Sequence, residues 1–142
     1  MDNRYFRKAV YYETDQMGIV HHSNYIRYFE EARVFFMHNI GCDIKELEEL
    51  GVIIPNVDAY AKYLKPIKFY DDFYVEVKLV SFTGVRMEFD FVIKLCETDE
   101  IACTGHTTHC FVNKSFKPMS IKKSFPDYYA KFIDNIDKNT NK

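Results

Sequence analysis

The feature that most constrains the fold of this chain is a run of large apolar side chains at helical spacing near its N-terminus. The helix-spaced members are Tyr25, Tyr28, Phe29, Ala32, Phe35, Phe36 and Ile40. Other apolar residues occupy the remaining faces of this stretch, and a helix this apolar is buried on several sides. Ser23 or Asn24 can cap the helix, and Gly41 is placed to end it. The rest of the chain must therefore surround one long helix.

Strand patterns lie on both sides of this helix. An aromatic-rich first strand is predicted before it, and four strands with largely alternating patterns are predicted after it. These strands are predicted at residues 5–12, 52–64, 73–82, 87–96 and 101–112. A short helix is predicted at residues 45–50, and Pro126 opens a C-terminal helix at its preferred first position.

The sum is an α+β fold in which one antiparallel sheet wraps around one long central helix. At this length we expect a single domain over residues 1–138, followed by a frayed tail at 139–142. A sheet of this kind leaves unpaired edges, and pairing with a second copy covers them. The pattern therefore also predicts a homo-oligomer.

Charge and composition exclude several classes of protein. The net charge is -2 and the basic residues are spread along the chain, which argues against a nucleic-acid-binding domain. No stretch has the length of a membrane span, and the N-terminus lacks the apolar core of a signal peptide. The four cysteines include no C-x-x-C pair, which favours free thiols over the alternative, a cross-strand disulfide. We therefore expect a cytoplasmic protein.

A histidine-rich segment near the end of the last strand raises the question of a metal. His106 and His109 are followed directly by Cys110. On a regular strand, residues at this spacing point to opposite faces of the sheet. We therefore predict no metal site, and no motif for a bound cofactor is present.

The strongest clue to function is one carboxylate placed just before the apolar helix. Asp15 lies in a Gly-bearing turn with Gly18, and His22 follows at the helix entry. A helix N-terminus carries unpaired N–H groups and partial positive charge. An Asp in such a turn is often only a turn or cap residue. A carboxylate beside these N–H donors also suits hydrolysis of an activated acyl group.

The absence of other catalytic motifs narrows the chemistry. The chain has no G-x-S-x-G nucleophile elbow, so the reaction must be one that a lone carboxylate can perform. A thioester meets this requirement because its leaving thiol ionises near a pKa of about 8.5 and needs little acid assistance. Helix N–H groups would stabilise the carbonyl oxygen.

Several basic residues are candidates for contacts with the phosphates of a nucleotide-bearing substrate. They are Arg33, Lys62, Lys65, Lys68 and Arg86. Ordinary solvated surface is the simpler interpretation of each residue. Arg86 is the best candidate, because the Thr83-Gly84 turn can present it at the edge of the sheet.

One family resembles this chain closely between Tyr12 and Arg33. The most specific matches are Thr14-Asp15-Gln16-Met17-Gly18, Val20, His22, Asn24-Tyr25, Phe29 and Ala32-Arg33. Looser matches are Tyr63-Leu64-Lys65-Pro66 and Tyr70-Asp71-Asp72. The chain resembles the 4-hydroxybenzoyl-CoA thioesterase-like family of hotdog-fold acyl-CoA thioesterases.

The resemblance implies a fold, an activity and residue roles. Asp15 matches the catalytic carboxylate, and the His22 N–H matches the group that polarises the thioester carbonyl, with the His22 side chain assisting. Tyr25 and Glu30 lie on helix turns that line the acyl pocket, and Glu30 stands where the aromatic-substrate branch has an acidic residue. Gly18 permits a backbone conformation, or a close approach of a ligand, that other residues resist. The family forms dimers or tetramers with sites at subunit interfaces, so contacts to acyl-CoA can come from a second copy. His21 departs from the Tyr or Trp common in the family.

Three functions remain after this reasoning. The leading hypothesis is hydrolysis of a short-chain or aromatic acyl-CoA, with Asp15 as nucleophile or general base. A hotdog hydroxyacyl-thioester dehydratase is the second, although the turn at Asp15 fits a hydrolase better. The third is a non-catalytic acyl-CoA-binding protein on the same fold.

Overall fold

The fold was examined in a computed structural model, which describes residues 2–138. The strands are β1 (Arg4–Lys8), β2 (Asn56–Tyr63), β3 (Asp72–Phe82), β4 (Arg86–Leu95) and β5 (Ile101–Cys110). The helices are α1 (Ser23–Asn39), α2 (Ile44–Glu49), α3 (Ile121–Ser124) and α4 (Pro126–Asp134), and a 3-10 turn spans Tyr11–Glu13. The tail predicted at residues 139–142 lies outside the described residues.

The strands form one five-stranded sheet in the order β1-β3-β4-β5-β2, with antiparallel pairing between all neighbours. One face of this sheet packs on α1, which confirms the predicted α+β plan. Phe29 stacks on Phe91 of β4 with ring centroids 4.7 Å apart, and Phe36 meets Phe89 edge to face. Both α1 rings are almost fully buried. The apolar periodicity of α1 is thus explained by its burial against the sheet.

Gly105 of β5 allows α1 to lie this close to the sheet. A Cβ at this position would stand 2.2 Å from the Phe29 ring and 2.9 Å from the Tyr60 carbonyl oxygen. Such distances are shorter than van der Waals contact, so no larger residue fits without movement of the helix or the sheet.

The predicted first strand was too long. β1 ends at Lys8, and residues 11–13 form the 3-10 turn instead. The cause is Glu13, whose buried carboxylate accepts hydrogen bonds from the Val10 N–H at 3.0 Å and from Arg7 at 2.6 Å. These side-chain contacts turn the chain where the aromatic pattern alone indicated continued strand.

The predicted second strand also began too early. β2 starts at Asn56, directly after Pro55, and Ile53 makes only an isolated bridge to Val112. A proline cannot donate to a strand ladder, which explains why regular pairing begins after it. The other predicted strands and the short helix agree with the structure to within two residues at each end.

The predicted caps of α1 were wrong. Neither Ser23 nor Asn24 caps the helix with its side chain. Asn24 is buried and donates to the Glu13 carbonyl at 2.9 Å. The ring of His21 does the capping, because its Nδ1 accepts hydrogen bonds from the Ser23 N–H at 3.2 Å and the Ser23 hydroxyl at 2.8 Å.

The histidines and cysteines follow the predicted arrangement. His106 lies on the outer face of the sheet between Asp90 and Glu88, whereas His109 is buried against Phe89. All four cysteines are free thiols.

Candidate active site

The turn before α1 holds Asp15 in a small bridged loop. Thr14 and Val20 pair as an isolated antiparallel bridge, and the Asp15 N–H donates to the Ile19 carbonyl at 2.9 Å. The Gly18 N–H donates to the Asp15 carbonyl at 3.0 Å. Gly18 has a φ of +77°, which favours glycine, and space around its Cα is open. The loop therefore needs Gly18 for its backbone and leaves room beside it.

One oxygen of the Asp15 carboxylate is held by the loop. Its Oδ1 accepts a hydrogen bond from the Met17 N–H at 2.8 Å. Its Oδ2 receives no hydrogen bond from residues 2–138. The side chain is half-buried, so the second oxygen stays available to a ligand while the first fixes the carboxylate.

A cavity of about 470 Å³ lies against this carboxylate, and we call it the turn cavity. Asp15 and His22 line it, together with Tyr25 from the first turn of α1. Residues 63–66, at and after the end of β2, close its other side. The structure thus brings Asp15, His22 and Tyr25 to one cavity, whereas Gly18 belongs to the Asp15 loop but does not line the cavity.

The entry to α1 leaves one backbone donor free at this cavity. The N–H groups of Ser23, Asn24 and Tyr25 are paired with His21 Nδ1, the His21 carbonyl and the His22 carbonyl. The His22 N–H has no such acceptor in the described part of the chain. A free N–H at a helix N-terminus is a ready donor to a developing oxyanion.

Aromatic rings form the wall of the turn cavity. Tyr25 is only 3% exposed, and burial raises the pKa of its hydroxyl to about 12. Its ring lies edge to face against Tyr63, with centroids 4.9 Å apart, and the Tyr63 hydroxyl donates to the His22 carbonyl at 3.3 Å. Burial likewise raises the pKa of the nearby Cys103 thiol to about 12. These groups therefore stay neutral around physiological pH.

A partly buried ionic network holds the segment before the turn. Arg7 binds Glu13 at 2.6 Å and Glu31 at 2.9 Å, and its guanidinium lies 5.1 Å from the centroid of the Tyr28 ring. The Glu13 carbonyl accepts hydrogen bonds from the His21 N–H at 2.8 Å and the Asn24 side chain at 2.9 Å. The network thus fixes the loop and the start of α1 relative to β1.

The two remaining predicted site residues lie elsewhere in the single chain. Glu30 is exposed on α1 and lines a second, smaller cavity. Arg86 is exposed at the start of β4, where its N–H donates to Thr83 Oγ1 at 3.0 Å. Neither residue lines the turn cavity.

Two contributions to the site escaped the sequence reasoning. Tyr63 and Leu64 line the turn cavity from the end of β2, and the only signal for them was the Tyr63-Leu64-Lys65-Pro66 segment. Lys65 lines the cavity too and forms an ion pair with Glu100. The capping role of His21 was also missed, although its spacing of two residues from Ser23 was visible.

Comparison with known proteins shows which family of proteins this chain resembles. The family model described as the thioesterase-like superfamily matches residues 10–128. A relative from Aquifex aeolicus, which bears a provisional name as an esterase, is 39% identical over 84% of this chain and 91% of its own. The acyl-CoA thioesterase YbgC from Helicobacter pylori is 30% identical over 84% of this chain and 77% of its own.

The fold of this chain also matches a solved thioesterase structure. The DHNA-CoA thioesterase from Staphylococcus aureus has a TM-score of 0.88 and 29% identity, and the match covers 92% of this chain and 88% of that one. The fold and these similarities define a hotdog-fold thioester hydrolase. The chain belongs to the thioesterase-like superfamily.

Two other kinds of feature are absent from the described residues. No helix within residues 2–138 is long and apolar enough to cross a membrane. Over the same residues, no group of three or more His, Cys, Asp or Glu side chains is arranged to hold a metal ion.

Proposed function

We propose that the protein hydrolyses an acyl-CoA thioester in the turn cavity. The Asp15 carboxylate acts on the thioester carbon, and the His22 N–H binds the carbonyl oxygen. The observation that carries this proposal is that two residues lining one cavity, His22 and Asp15, each leave a group without a hydrogen bond from residues 2–138, the His22 N–H and the Asp15 Oδ2. The names of the Helicobacter pylori and Staphylococcus aureus relatives support a CoA ester as the substrate.

The order of events follows from the charges involved. The carbonyl oxygen gains negative charge as the tetrahedral intermediate forms, and the His22 N–H at the positive end of α1 stabilises it. One such donor typically changes the rate about 100- to 1000-fold. The intermediate then expels the CoA thiolate, which leaves readily because its pKa is near that of a free thiol. The His22 ring, exposed at the entry, assists these steps.

Two routes for Asp15 fit this arrangement. As a nucleophile, Oδ2 attacks the acyl carbon, CoA leaves, and water hydrolyses the resulting anhydride. As a general base, Oδ2 removes a proton from a water molecule that attacks instead. Single-turnover hydrolysis in heavy-oxygen water separates the two, because only the anhydride route places label in the Asp15 side chain.

The acyl group lies against the rings of the cavity wall. Tyr25 and Tyr63 present apolar faces to the cavity. Gly18, in the same loop as Asp15, has open space around it and no side chain to obstruct the approach. A short-chain or aromatic acyl group matches this mixture of rings and limited volume. Mutation of the wall should therefore change the preference among acyl groups more than it changes the chemical step.

A second copy of the chain completes the site in this proposal. β2 is an edge strand of eight residues, and antiparallel pairing of two such strands places Asn56 of one opposite Tyr63 of the other. The cavity that contains Glu30 lies at the Asn56 end, and the turn cavity lies at the Tyr63 end. Glu30 thereby reaches the acyl group from the second copy, and Arg86 is the candidate contact for CoA phosphates.

The decisive experiment compares Asp15→Asn with wild type on short-chain and aromatic acyl-CoAs, with free thiol as the measured product. The amide keeps an oxygen for the Met17 N–H, so the loop should persist. Loss of a general base or nucleophile should lower kcat by at least about 100-fold.

Asp71→Asn is the matched control. Asp71 also accepts a backbone N–H, from Lys68 at 2.8 Å, but it does not line the turn cavity. Its activity should equal that of wild type. Full activity of Asp15→Asn would refute the mechanism, and an enoyl product or tight binding without thiol release would refute the hydrolysis.

A further inference from the structure

A second cavity, of about 230 Å³, lies between α1 and the sheet, and we call it the Arg33 cavity. α1 lines one side of it. β5 and the start of β2 line the other, through Thr107, His109 and Asn56. Tyr25 lines the turn cavity and the next residue, Ile26, lines this one. Successive residues of a helix point to different sides, so the two cavities are separate within one chain.

Arg33 is a buried cation without a carboxylate partner. It is 8% exposed, and its one hydrogen bond within residues 2–138 runs from Nη1 to the Met37 sulfur at 3.7 Å. Arginine stays protonated in proteins, although burial lowers the pKa of this one. Buried charges are normally paired because desolvation of a lone ion is expensive. An unpaired guanidinium beside a cavity therefore indicates that something else supplies its anion.

The floor of the cavity is polar and uncharged. His109 is 2% exposed, its Nε2 lies 2.9 Å from Thr107 Oγ1, and its Nδ1 has no partner in the described residues. Burial, followed by the charge of Arg33, lowers the pKa of His109 to about 3, so its ring is neutral at physiological pH. The thioesterase mechanism does not use either residue.

The charges around the cavity favour an anion. Arg27 and Arg33 line it, and Glu30 is the one carboxylate in the lining. Glu30 acts on Arg33 electrostatically, but no ion pair joins the two in the described chain, and the Glu30 side chain is exposed. Asp58 acts on His109 electrostatically but does not line the cavity. The lining therefore carries one net positive charge, and the buried part of it is positive.

We propose that the Arg33 cavity binds the carboxylate at the far end of an acyl group, so that the enzyme prefers thioesters of dicarboxylic acids. This inference rests on the proposed function. A guanidinium binds a carboxylate through two parallel hydrogen bonds, and a short carboxylate-bearing chain fits the volume. In the β2-paired arrangement, the Arg33 cavity of one copy lies beside the turn cavity of the other, which holds the thioester. Arg33 is then the residue that determines specificity for the acyl end.

Binding is tested first, without any thioester. Calorimetry measures glutarate and its neutral isostere glutaramide on the full-length protein. Wild type should bind glutarate, and Arg33→Met should weaken it by about 10- to 100-fold, the usual contribution of a charged hydrogen-bonded pair. Arg33→Lys keeps the charge and should retain part of the affinity. Arg4→Met removes an exposed arginine far from the cavity and should bind as wild type does.

Kinetics then compares glutaryl-CoA with the CoA ester of the corresponding terminal amide. Wild type should show a kcat/KM at least about tenfold higher for the carboxylate, and Arg33→Met should abolish this ratio. Circular dichroism checks folding. If Arg33→Met does not fold, the same kcat/KM comparison is made with Arg33→Lys and Thr107→Val.

The outcomes separate this inference from the proposed function. Arg33-dependent binding of glutarate without hydrolysis of any thioester would support the carboxylate site and refute the thioesterase reaction. Hydrolysis with no preference for the carboxylate, or with preference for a hydroxyaryl group, would refute the carboxylate site alone. An Arg33→Met protein that keeps both the affinity and the preference would refute it as well.

Discussion

At the scale of single residues, the site depends on backbone groups that side chains hold in place. His21 shows this most directly, because its ring caps α1 and its backbone carbonyl accepts the Asn24 N–H at 3.0 Å. The cap leaves the next donor, the His22 N–H, free for substrate. A residue that looks like a departure from the family pattern is therefore part of the helix entry in this chain.

The cap can be tested by exchange of its acceptor. His21→Phe removes Nδ1 and should lower the free energy of unfolding by about 0.5–2 kcal/mol, the usual loss for an N-cap. His21→Asn supplies a side-chain oxygen and should recover most of that loss. His38→Ala, which alters an exposed histidine later in α1, should change stability by less than about 0.5 kcal/mol. Urea unfolding measures all three, and equal stabilities of the Phe and Asn variants would show that the cap is unimportant.

At the scale of elements, the packing of α1 on the sheet depends on Gly105. Gly105→Ala places a Cβ 2.2 Å from the Phe29 ring and should destabilise the fold by about 1–3 kcal/mol through overpacking. Phe29→Leu in the same chain shortens the opposing side chain. The double variant should therefore be less destabilised than the sum of the single changes, by about 0.5–3 kcal/mol. Thr104→Ala, one residue earlier on the strand, serves as control, and strict additivity would show that the two residues do not oppose each other.

The positions of some helices and strands could be predicted from the sequence, and the positions of others could not. Helical and alternating patterns located α1 and β3 to β5 because those patterns arise from burial that each element carries along its own length. The end of β1 was missed because it depends on Glu13 meeting Arg7, a contact between side chains that no local pattern encodes. The cap was missed for a similar reason, since Asn24 is drawn away by the Glu13 carbonyl.

The candidate site also has a part that the sequence could predict and a part that it could not. Asp15, Gly18, His22 and Tyr25 lie within one turn and one helix entry, so their proximity follows from the chain itself. Glu30 and Arg86 lie apart from them in a single copy, and a shared site requires the second copy that the resemblance implies. The Arg33 cavity joins residues of three separate elements, which sequence spacing cannot bring together.

At the scale of the whole molecule, the two edges of the sheet differ in what they can pair with. β1 has five residues, of which Arg4, Arg7 and Lys8 are basic, and such an edge repels its own copy. β2 is longer and exposes Val57, Tyr60 and Tyr63. The site gives a second reason, because β2 is the one of these two edge strands that lines both the turn cavity and the Arg33 cavity. We therefore expect two copies to associate along β2.

A lysine introduced on each edge strand in turn tests the association of two copies along β2. Val57→Lys places a cation on the proposed interface, where pairing of Asn56 with Tyr63 sets it opposite Lys62 of the second copy and both charges lose water. The variant should change from dimer to monomer in light scattering and lose thioesterase activity, because each site then lacks the residues of the second copy. Phe6→Lys makes the same type of change on β1, where Phe6 is 56% exposed, and should leave both mass and activity unchanged. A monomeric Val57→Lys protein with full activity would mean that one chain contains the whole site, and a monomeric Phe6→Lys protein would assign the interface to the other edge.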